Sequence, residues 1–338
     1  MTAAEARADA SPDPDGPPPA RLEGLVKRYR TARGRRHTAL DHFSMSVPAR
    51  SIVGLLGPNG SGKTTALKAL LGLVRVDSGT ITAFGHELPR AQHLVAHRIG
   101  ALIEGPAFTA SLTGERNLRL LATLHGASES TVAEALDLVG LTRDARRAYS
   151  GYSLGMKQRL GIAAALLPSP DLLVLDEPMN GLDPEAIRDL RPLLTHLRDD
   201  RGMTILVSSH ILAEVELVSD HVTIVRHGRV ISEGRLSRLV EGTTDHVVLR
   251  LPGPESLRDT ARAVLARRGI PVAAADGASD PTELRAATGE GVPAVLRILA
   301  EHDIYPEEVH RRSASLEDAY IRAIRAADAE RDGPHDAE

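Results

Sequence analysis

The residues of this sequence with the clearest chemical potential form one run, G-P-N-G-S-G-K-T, at positions 57–64. The run fits the pattern G-x-x-x-x-G-K-[ST], in which glycines let backbone N–H groups wrap around phosphate oxygens. The Lys63 ammonium can reach the terminal phosphates, and the Thr64 hydroxyl can ligate Mg²⁺. An apolar stretch at 52–56 precedes the run, and a helix-forming stretch at 65–71 follows it. This strand–loop–helix context predicts a nucleoside triphosphate site rather than an ordinary glycine-rich turn.

The predicted phosphate-binding residues take in the whole run and the first residue after it. They are Gly57, Pro58, Asn59, Gly60, Ser61, Gly62, Lys63, Thr64 and Thr65.

Two adjacent carboxylates end an apolar run in the second half of the chain. Asp176 and Glu177 follow the continuous apolar residues 172–175, a pattern typical of a buried parallel strand. Asp176 at the strand tip can hold Mg²⁺, directly or through water. Glu177 is placed to polarise a water for attack on the γ-phosphate. An acidic loop after a strand is the alternative, but its pairing with the phosphate loop favours the functional interpretation.

Size and composition exclude several classes of protein. The length of 338 residues predicts two domains, or one large domain with an appendage. A formal net charge of −4 argues against a dedicated nucleic-acid binder, and the absence of cysteine excludes disulfides and thiolate zinc sites. No apolar run approaches the roughly 18 residues needed to span a bilayer. Residues 1–20 and 328–338 are predicted to be disordered tails.

Apolar patterning predicts an α/β organisation for the first two thirds of the chain. The predicted strands cover residues 43–47, 52–56, 80–84, 98–103, 172–175 and 203–207, with a hairpin at 222–231. From residue 106 to about 150 the pattern is helical, which predicts a helical subdomain inserted between strands. Asp183 and Pro184 are expected to begin a helix, because Asp caps well and Pro suits the first turn.

A boundary is predicted near residues 241–245. Beyond it, the order strand, helix, strand, strand, helix, strand predicts a small βαββαβ unit within 245–327. A last helix is expected from Ser315, with Asp318 completing a capping box.

The segment Y-S-L-G-M-K-Q-R-L at 152–160 resembles the signature motif of the ATP-binding subunits of ABC transporters. That motif is usually written LSGGQ followed by x-Q-R. The chain keeps its Ser153, Gly155, Gln158 and Arg159. It replaces a Gly by Leu154 and a Gln by Met156, a form familiar in bacitracin-type and other antibiotic exporter ATPases. Taken alone, the segment could be a helix N-terminus with a Ser cap.

Three further segments carry the same resemblance. N-G-L-D at 180–183 resembles the family's D-loop, in which Asp183 serves as helix cap and inter-subunit contact. His210 resembles the switch histidine that touches the γ-phosphate, although a lone histidine after a strand is more often structural. Tyr29 resembles the aromatic residue that stacks on adenine; the alternative is a strand tyrosine packed on the core.

One position departs from the family pattern. The family usually places a Gln after the strand that follows the first helix, close to Mg²⁺ and to the membrane partner. Glu104 ends the corresponding predicted strand and is taken as the equivalent, and hence as a metal ligand. The alternative is a solvated residue at a strand end. The departure leaves metal geometry and coupling open.

The resemblance implies both fold and domain limits. Residues 21–241 would form a P-loop NTPase ABC cassette of α/β class, with a mainly parallel sheet core, an antiparallel β part and the helical subdomain at 106–150. A small α+β C-terminal domain would occupy 245–327. The segment S-L-E-D-A-Y at 315–320 resembles the end of drug-exporter and multidrug-exporter ATPases.

The resemblance also implies a mechanism and partners. Two copies would face head to tail, with each ATP between the phosphate loop of one copy and Ser153 and Gly155 of the other. Hydrolysis, with Mg²⁺ as cofactor, would drive a separate membrane permease that docks on residues 106–149 and Glu104. The protein would then lie in the cytoplasm, peripheral on the inner face of the cell membrane, as part of a pump that exports an antibiotic or another amphiphilic compound. No nucleic-acid partner is expected.

Two rival functions stay open from the sequence. A soluble ABC ATPase acting on ribosomes or DNA usually has two cassettes or long coiled-coil arms, and this chain shows one cassette and neither arm. An importer ATPase is disfavoured by the S-x-G-M-K-Q-R form and by Glu104, through resemblance alone. Membrane fractionation would separate the export subunit from the soluble ATPase.

We expect Lys63→Ala to lower ATPase activity by roughly 100-fold or more and to weaken ATP binding, since it removes the lysine that meets the β- and γ-phosphates. Steady-state hydrolysis and nucleotide titration measure both effects. Near-normal turnover with the partner present would contradict the phosphate-loop assignment.

Overall fold

A computed structural model describes residues 18–30, 36–105, 108–241, 246–274, 282–287, 291–312 and 315–331. The chain divides into two compact units. The first comprises residues 1–236 and 323–338, and the second comprises residues 237–322. The predicted boundary near 241–245 lies mostly outside the described residues.

The first unit contains ten strands among its described residues. They are β1 (Ala20–Arg30), β2 (Arg36–Val47), β3 (Ile52–Leu56), β4 (Ser78–Ala83), β5 (His86–Leu88), β6 (Ile99–Leu102), β7 (Leu172–Asp176), β8 (Thr204–Ser209), β9 (His221–Arg226) and β10 (Arg229–Arg235). Its described helices are α1 (Lys63–Leu70), α2 (Gln92–Val95), α3 (Gly114–His125), α4 (Glu129–Leu138), α5 (Leu154–Leu166), α6 (Pro184–Asp199) and α7 (Leu212–Val218).

A six-stranded sheet forms the centre of the first unit, in the order β10-β9-β3-β8-β7-β6. All neighbours from β9 to β6 are parallel, and β10 pairs antiparallel with β9. Every residue of β3 and β7 is buried, which explains why these strands read as continuous apolar runs rather than as alternating ones. The predicted parallel α/β core and the hairpin through His227 and Gly228 are confirmed.

A second, antiparallel sheet has the order β2-β1-β4-β5. It confirms the predicted antiparallel part, in which Phe43, Met45 and Val47 point into the core. Strand β1 begins at Ala20, the last residue of the segment predicted to be a disordered tail.

The inserted helical subdomain is built from α3 and α4, which pack against α5. The face of α4 that the sequence predicts to be apolar is buried. Its residues are Val132, Ala135, Leu136 and Val139. The rest of the predicted insertion includes residues 106–107, which lie outside the described part of the chain.

The second unit begins within α8 (Leu236–Glu241), whose first residue is the last of the first unit's main segment. Its elements are β11 (His246–Arg250), α9 (Glu255–Arg267), β12 (Val272–Ala274), β13 (Glu283–Ala287), α10 (Val292–Ala300), β14 (Glu308–Arg312) and the start of α11 (Leu316–Arg331). The four strands form an antiparallel sheet in the order β12-β13-β11-β14, and Val247, Leu249, Leu284 and Ala286 lie in its core. The element order is the βαββαβ order expected from the sequence.

Helix α11 begins with the expected capping box. Ser315 Oγ donates to Asp318 Oδ2 over 2.8 Å. The helix runs to Arg331 and therefore enters the segment predicted to be a disordered tail at residue 328. Asp328 there pairs with Arg226 at 2.7 Å, which gives that end of the helix an ionic contact. Among the described helices, none is both long and apolar enough to cross a bilayer.

Candidate active site

The loop after β3 depends on glycine where its backbone comes close to other backbone. A Cβ at Gly57 would stand 2.3 Å from the Val225 carbonyl oxygen, and one at Gly62 would stand 2.5 Å from the Ala39 carbonyl oxygen. Gly62 also has a φ of 109°, a conformation that residues with a side chain rarely adopt. Both neighbouring atoms belong to the backbone and cannot shift at low energetic cost, so the loop requires glycine at these two positions whether or not a ligand is bound.

Lys63 is the first residue of α1, and its side chain is only 5% exposed. Its ammonium donates to the Gly57 carbonyl oxygen over 2.7 Å, and it lies 3.1 Å from Glu177 Oε1. The Ser61 hydroxyl in the same loop is buried and has no hydrogen-bond partner in the described part of the chain. A buried cation and an unsatisfied buried hydroxyl suit a ligand with anionic oxygens, such as a phosphate chain.

Asp176 at the end of β7 connects the phosphate loop to the neighbouring strand. Its Oδ2 accepts from Thr64 Oγ1 at 2.9 Å, and its Oδ1 accepts from Ser208 Oγ at 2.6 Å. A hydroxyl beside a carboxylate offers the hard oxygen donors that Mg²⁺ prefers. Among the described residues, no group of three or more acidic, His or Cys side chains is arranged to hold a metal. The Thr64 hydroxyl and the Asp176 carboxylate nevertheless fit Mg²⁺, which typically takes one or two carboxylates from the protein and completes its shell with phosphate and water.

Glu177 lies between two of the other predicted catalytic groups. Its Oε1 faces Lys63, and its Oε2 lies 2.6 Å from His210 Nδ1. Its backbone has a φ of 49°, a strained conformation for a residue with a side chain, and its N–H donates to Ser208 Oγ at 2.9 Å. The fold thus brings Lys63, Glu177 and His210, from the segments that follow three adjacent strands, into contact within one chain.

Tyr29 and Glu104 lie at the margins of this cluster. Tyr29 on β1 is 38% exposed, and Lys27 Nζ lies 5.1 Å from the centre of its ring. A surface ring is accessible for stacking, unlike the core tyrosine of the alternative interpretation. The Glu104 side chain is 68% exposed and pairs with Lys68 of α1, an interaction that raises the pKa of the lysine. In the described structure Glu104 is not joined to Thr64 or Asp176.

The signature and D-loop segments pack against each other. Ser153 caps α5, since its Oγ accepts from Met156 N, and Asp183 caps α6 by accepting from Ala186 N over 2.8 Å. A Cβ at Gly155 would lie 2.8 Å from Ala186 Cβ, so glycine lets α5 and α6 approach. The contacts of Ser153 and Gly155 are therefore with their own helix and with α6. They are not among the residues that surround Lys63.

Sequence reasoning missed three polar residues next to this cluster. Ser208 and Ser209 end β8, and Glu214 belongs to α7, a helix that the apolar pattern did not predict. Ser208 is fully buried and bridges Asp176 to the Glu177 backbone. A signal was present in the sequence: two hydroxyl residues at the end of an apolar strand, directly before His210, belong at the sheet edge where Asp176 also lies.

A parallel sheet with a phosphate loop after one strand and an Asp–Glu pair after another defines the class of P-loop nucleoside triphosphatases. The family model "ABC transporter" matches residues 40–180. The bacitracin transport ATP-binding protein of Enterococcus faecalis is 44% identical over 218 residues, which cover 64% of this chain and 69% of that protein. The daunorubicin/doxorubicin resistance ATP-binding protein of Streptomyces peucetius is 36% identical over 78% of both chains.

A solved structure of an ATP-binding subunit of an ABC transporter superposes with a TM-score of 0.57 and 32% identity, over 66% of this chain and 92% of that one. The chain belongs to the family of ABC transporter ATP-binding proteins. It therefore binds ATP and is an ATPase of the cassette type. The resemblance stated from the signature motif is confirmed.

We expect Ser208→Ala to lower the free energy of unfolding by about 1–3 kcal/mol, because it leaves the part-buried Glu177 N–H without its acceptor. ATPase activity should fall as well, since Asp176 and Glu177 each lose a hydrogen bond to the Ser208 hydroxyl. Chemical denaturation and steady-state hydrolysis measure the two effects.

Thr223→Val is the matched control for Ser208→Ala. Thr223 is also fully buried, but its hydroxyl has no hydrogen-bond partner in the described structure. Its replacement should leave stability unchanged or raise it. Equal losses of stability in both variants would contradict the bridging role of Ser208.

Proposed function

We propose that two copies of this chain close around two ATP molecules and drive a separate membrane permease that exports an antibiotic or another amphiphilic compound. The observation that carries the proposal is the division of the site within one chain. The phosphate loop, Asp176, Glu177 and His210 are gathered at one edge of the sheet, while Ser153 and Gly155 are held by α5 and α6. A second copy, placed head to tail, would supply the missing Ser153 and Gly155.

The signature segment is suited to meet a phosphate presented by another chain. It begins helix α5, whose first backbone N–H groups favour an anion. Leu154 beside the cap is 53% exposed, an apolar side chain that a partner surface would cover. Asp183, as cap of α6 next to this segment, would lie in the same interface.

Each residue of the gathered cluster takes a role in hydrolysis. Glu177 would position and polarise the attacking water, with its carboxylate already oriented by Lys63 and His210. Lys63 and His210 would stabilise the charge that develops on the γ-phosphate. Thr64 and Asp176 would hold Mg²⁺, which neutralises negative charge on the bound phosphates. Tyr29 would stack on the adenine, and the backbone of residues 57–65 would wrap the phosphates.

The assignment to export rests on what the relatives are called. One relative is named for bacitracin transport and another for daunorubicin/doxorubicin resistance. The chain would work at the inner face of the cell membrane, in contact with its permease. Leu120 and Leu124, exposed one helical turn apart on α3, support the helical subdomain as the docking surface.

The domain limits are part of the same proposal. Residues 21–241 would form the ATP-binding domain and residues 245–327 the C-terminal domain. The family match at 40–180 lies within the first range. The two compact units divide after residue 236, close to the proposed boundary, although residues 323–338 belong to the first unit.

We expect Glu177→Gln to bind ATP with normal affinity and to accumulate as an ATP-bound dimer, because the substitution removes the base without removing a phosphate ligand. Light scattering during size exclusion, with and without Mg-ATP, measures the dimer. Glu87→Gln, an exposed position on β5, is the control and should behave as the unmodified protein. A Glu177→Gln variant that binds saturating ATP but stays monomeric would rule out the dimer or the role of Glu177.

The structure allows a sharp test of Glu104 as a metal ligand. If Glu104 approaches Mg²⁺ in the closed dimer, Glu104→Gln should raise the Mg²⁺ concentration for half-maximal ATPase activity severalfold. Lys68→Gln breaks the same ion pair without removing the carboxylate, so it should leave the Mg²⁺ dependence unchanged. Equal effects of the two variants would show that Glu104 acts through its ion pair with Lys68 and not as a metal ligand.

A further inference from the structure

Glu214 is a buried carboxylate close to the reaction centre, and the proposed hydrolysis mechanism gives it no role. It lies in the first turn of α7, four residues after His210, and it is only 7% exposed. Its Oε2 accepts from Ser209 Oγ at 2.9 Å. Burial raises the pKa of Glu214, while the hydrogen bond from Ser209 lowers it. A buried acid needs such a partner, and Ser209 in turn bonds to the backbone around His210.

Ser209 holds the backbone on both sides of His210. Its Oγ, which donates to Glu214, also accepts from Ile211 N at 3.0 Å. Its carbonyl oxygen accepts from the Gly57 N–H of the phosphate loop at 3.3 Å. The residue before His210 is therefore tied to the phosphate loop, and the residue after His210 is tied to the hydroxyl that Glu214 orients.

Close packing of α7 sets the position of Glu214. A Cβ at Gly54 of β3 would stand 2.3 Å from Val215 Cγ1 and 2.7 Å from Ser219 Oγ. The glycine thus lets α7 lie directly on the strand that leads into the phosphate loop. Because Val215 is the next residue, this contact fixes the depth at which the Glu214 carboxylate reaches Ser209.

We propose that Glu214 is a positioning residue for His210. Through Ser209, it holds the His210 backbone so that the imidazole faces Glu177 and the γ-phosphate. The catalytic consequence rests on the proposed role of His210, whereas the structural consequence does not depend on nucleotide.

The first test therefore uses the full-length protein without nucleotide. Imidazole ¹⁵N resonances are recorded after histidine labelling, and the His210 signals are assigned by their loss in His210→Gln. Glu214→Ala and Ser209→Ala should both shift the His210 signals, because each removes one side of the same hydrogen bond. Glu214→Gln, which keeps an acceptor for Ser209 Oγ, should leave them near their original positions.

Glu233→Ala is the matched control for this experiment. The Glu233 carboxylate also supports backbone, since its Oε1 accepts from Ser46 N at 2.8 Å, but it belongs to β10. It should leave the His210 signals unchanged. Unchanged His210 signals in both Glu214→Ala and Ser209→Ala would overturn the proposal, whatever the ATPase activity.

The second test is kinetic. Glu214→Ala should lower kcat about tenfold with little change in ATP affinity, since the phosphate loop and Tyr29 are untouched. In a His210→Ala background the same substitution should have almost no further effect on kcat, because a positioning residue acts only through the group it positions. Glu214→Gln should restore most of the kcat.

A purely structural acid would give a different pattern. It would lower thermal stability and kcat to the same degree in both backgrounds, and that additivity would refute the proposal. If Glu214→Ala fails to fold, Ser209→Ala provides the same comparison with His210→Ala. The His210 signals could also shift without any change in kcat. That result would support the positioning of His210 by Glu214 and contradict the proposed catalytic role of His210, so the two proposals can fail separately.

Discussion

The active site depends on the hydrogen bonding of three adjacent parallel strands. Strand β8 lies between β3 and β7, and the register pairs Leu56 with Ser209 and Asp176 with Ser208. Parallel strands that are in register end at one edge of a sheet, so the segments that leave them must meet there. The phosphate loop leaves β3, His210 comes directly after β8, and Asp176 and Glu177 stand at the end of β7.

The two serines at the end of β8 convert this alignment into specific contacts. Ser208 reaches towards β7, where it bonds Asp176 and the Glu177 backbone. Ser209 reaches towards β3 and α7, where it bonds Gly57 and Glu214. Buried polar groups in a sheet core are costly unless each is satisfied. Here the Ser208 hydroxyl bridges β8 and β7 and supports the strained φ of Glu177. Ser209 joins the loop after β3 through its backbone carbonyl oxygen and α7 through its hydroxyl.

The signature segment is held by helix caps and helix packing rather than by strand register. Ser153 and Asp183 are helix caps whose hydrogen bonds stay within α5 and α6, and Gly155 is required by the contact with Ala186. All three residues therefore have a structural role in capping or packing α5 and α6 within a single chain. Their proposed role at the ATP site would be added to this structural role, and it would depend on the surface that the capped helix presents rather than on contacts inside the fold.

Sequence alone determined the residues whose chemistry is strictly local. The phosphate loop could be recognised because glycine, lysine and threonine at that spacing serve a purpose that adjacent backbone dictates. The strands could be located because apolar runs and alternation reflect burial on two faces or one. The caps of α5, α6 and α11 were predictable for the same reason, since a cap bonds only a few residues away.

Only the tertiary structure decided how distant parts of the chain meet. That Glu177 lies between Lys63 and His210, and that Ser208 supports it, depends on strand order, which a one-dimensional pattern does not contain. Glu104 shows the same limit: its pairing with Lys68 depends on the placement of α1 beside the end of β6. Glu214 could not be predicted, because α7 is too short to show a periodic apolar face and its burial depends on the absence of a side chain at Gly54, far earlier in the chain. Local bonding is encoded within a few residues of sequence, whereas the partners of a buried polar group are set by packing between distant segments.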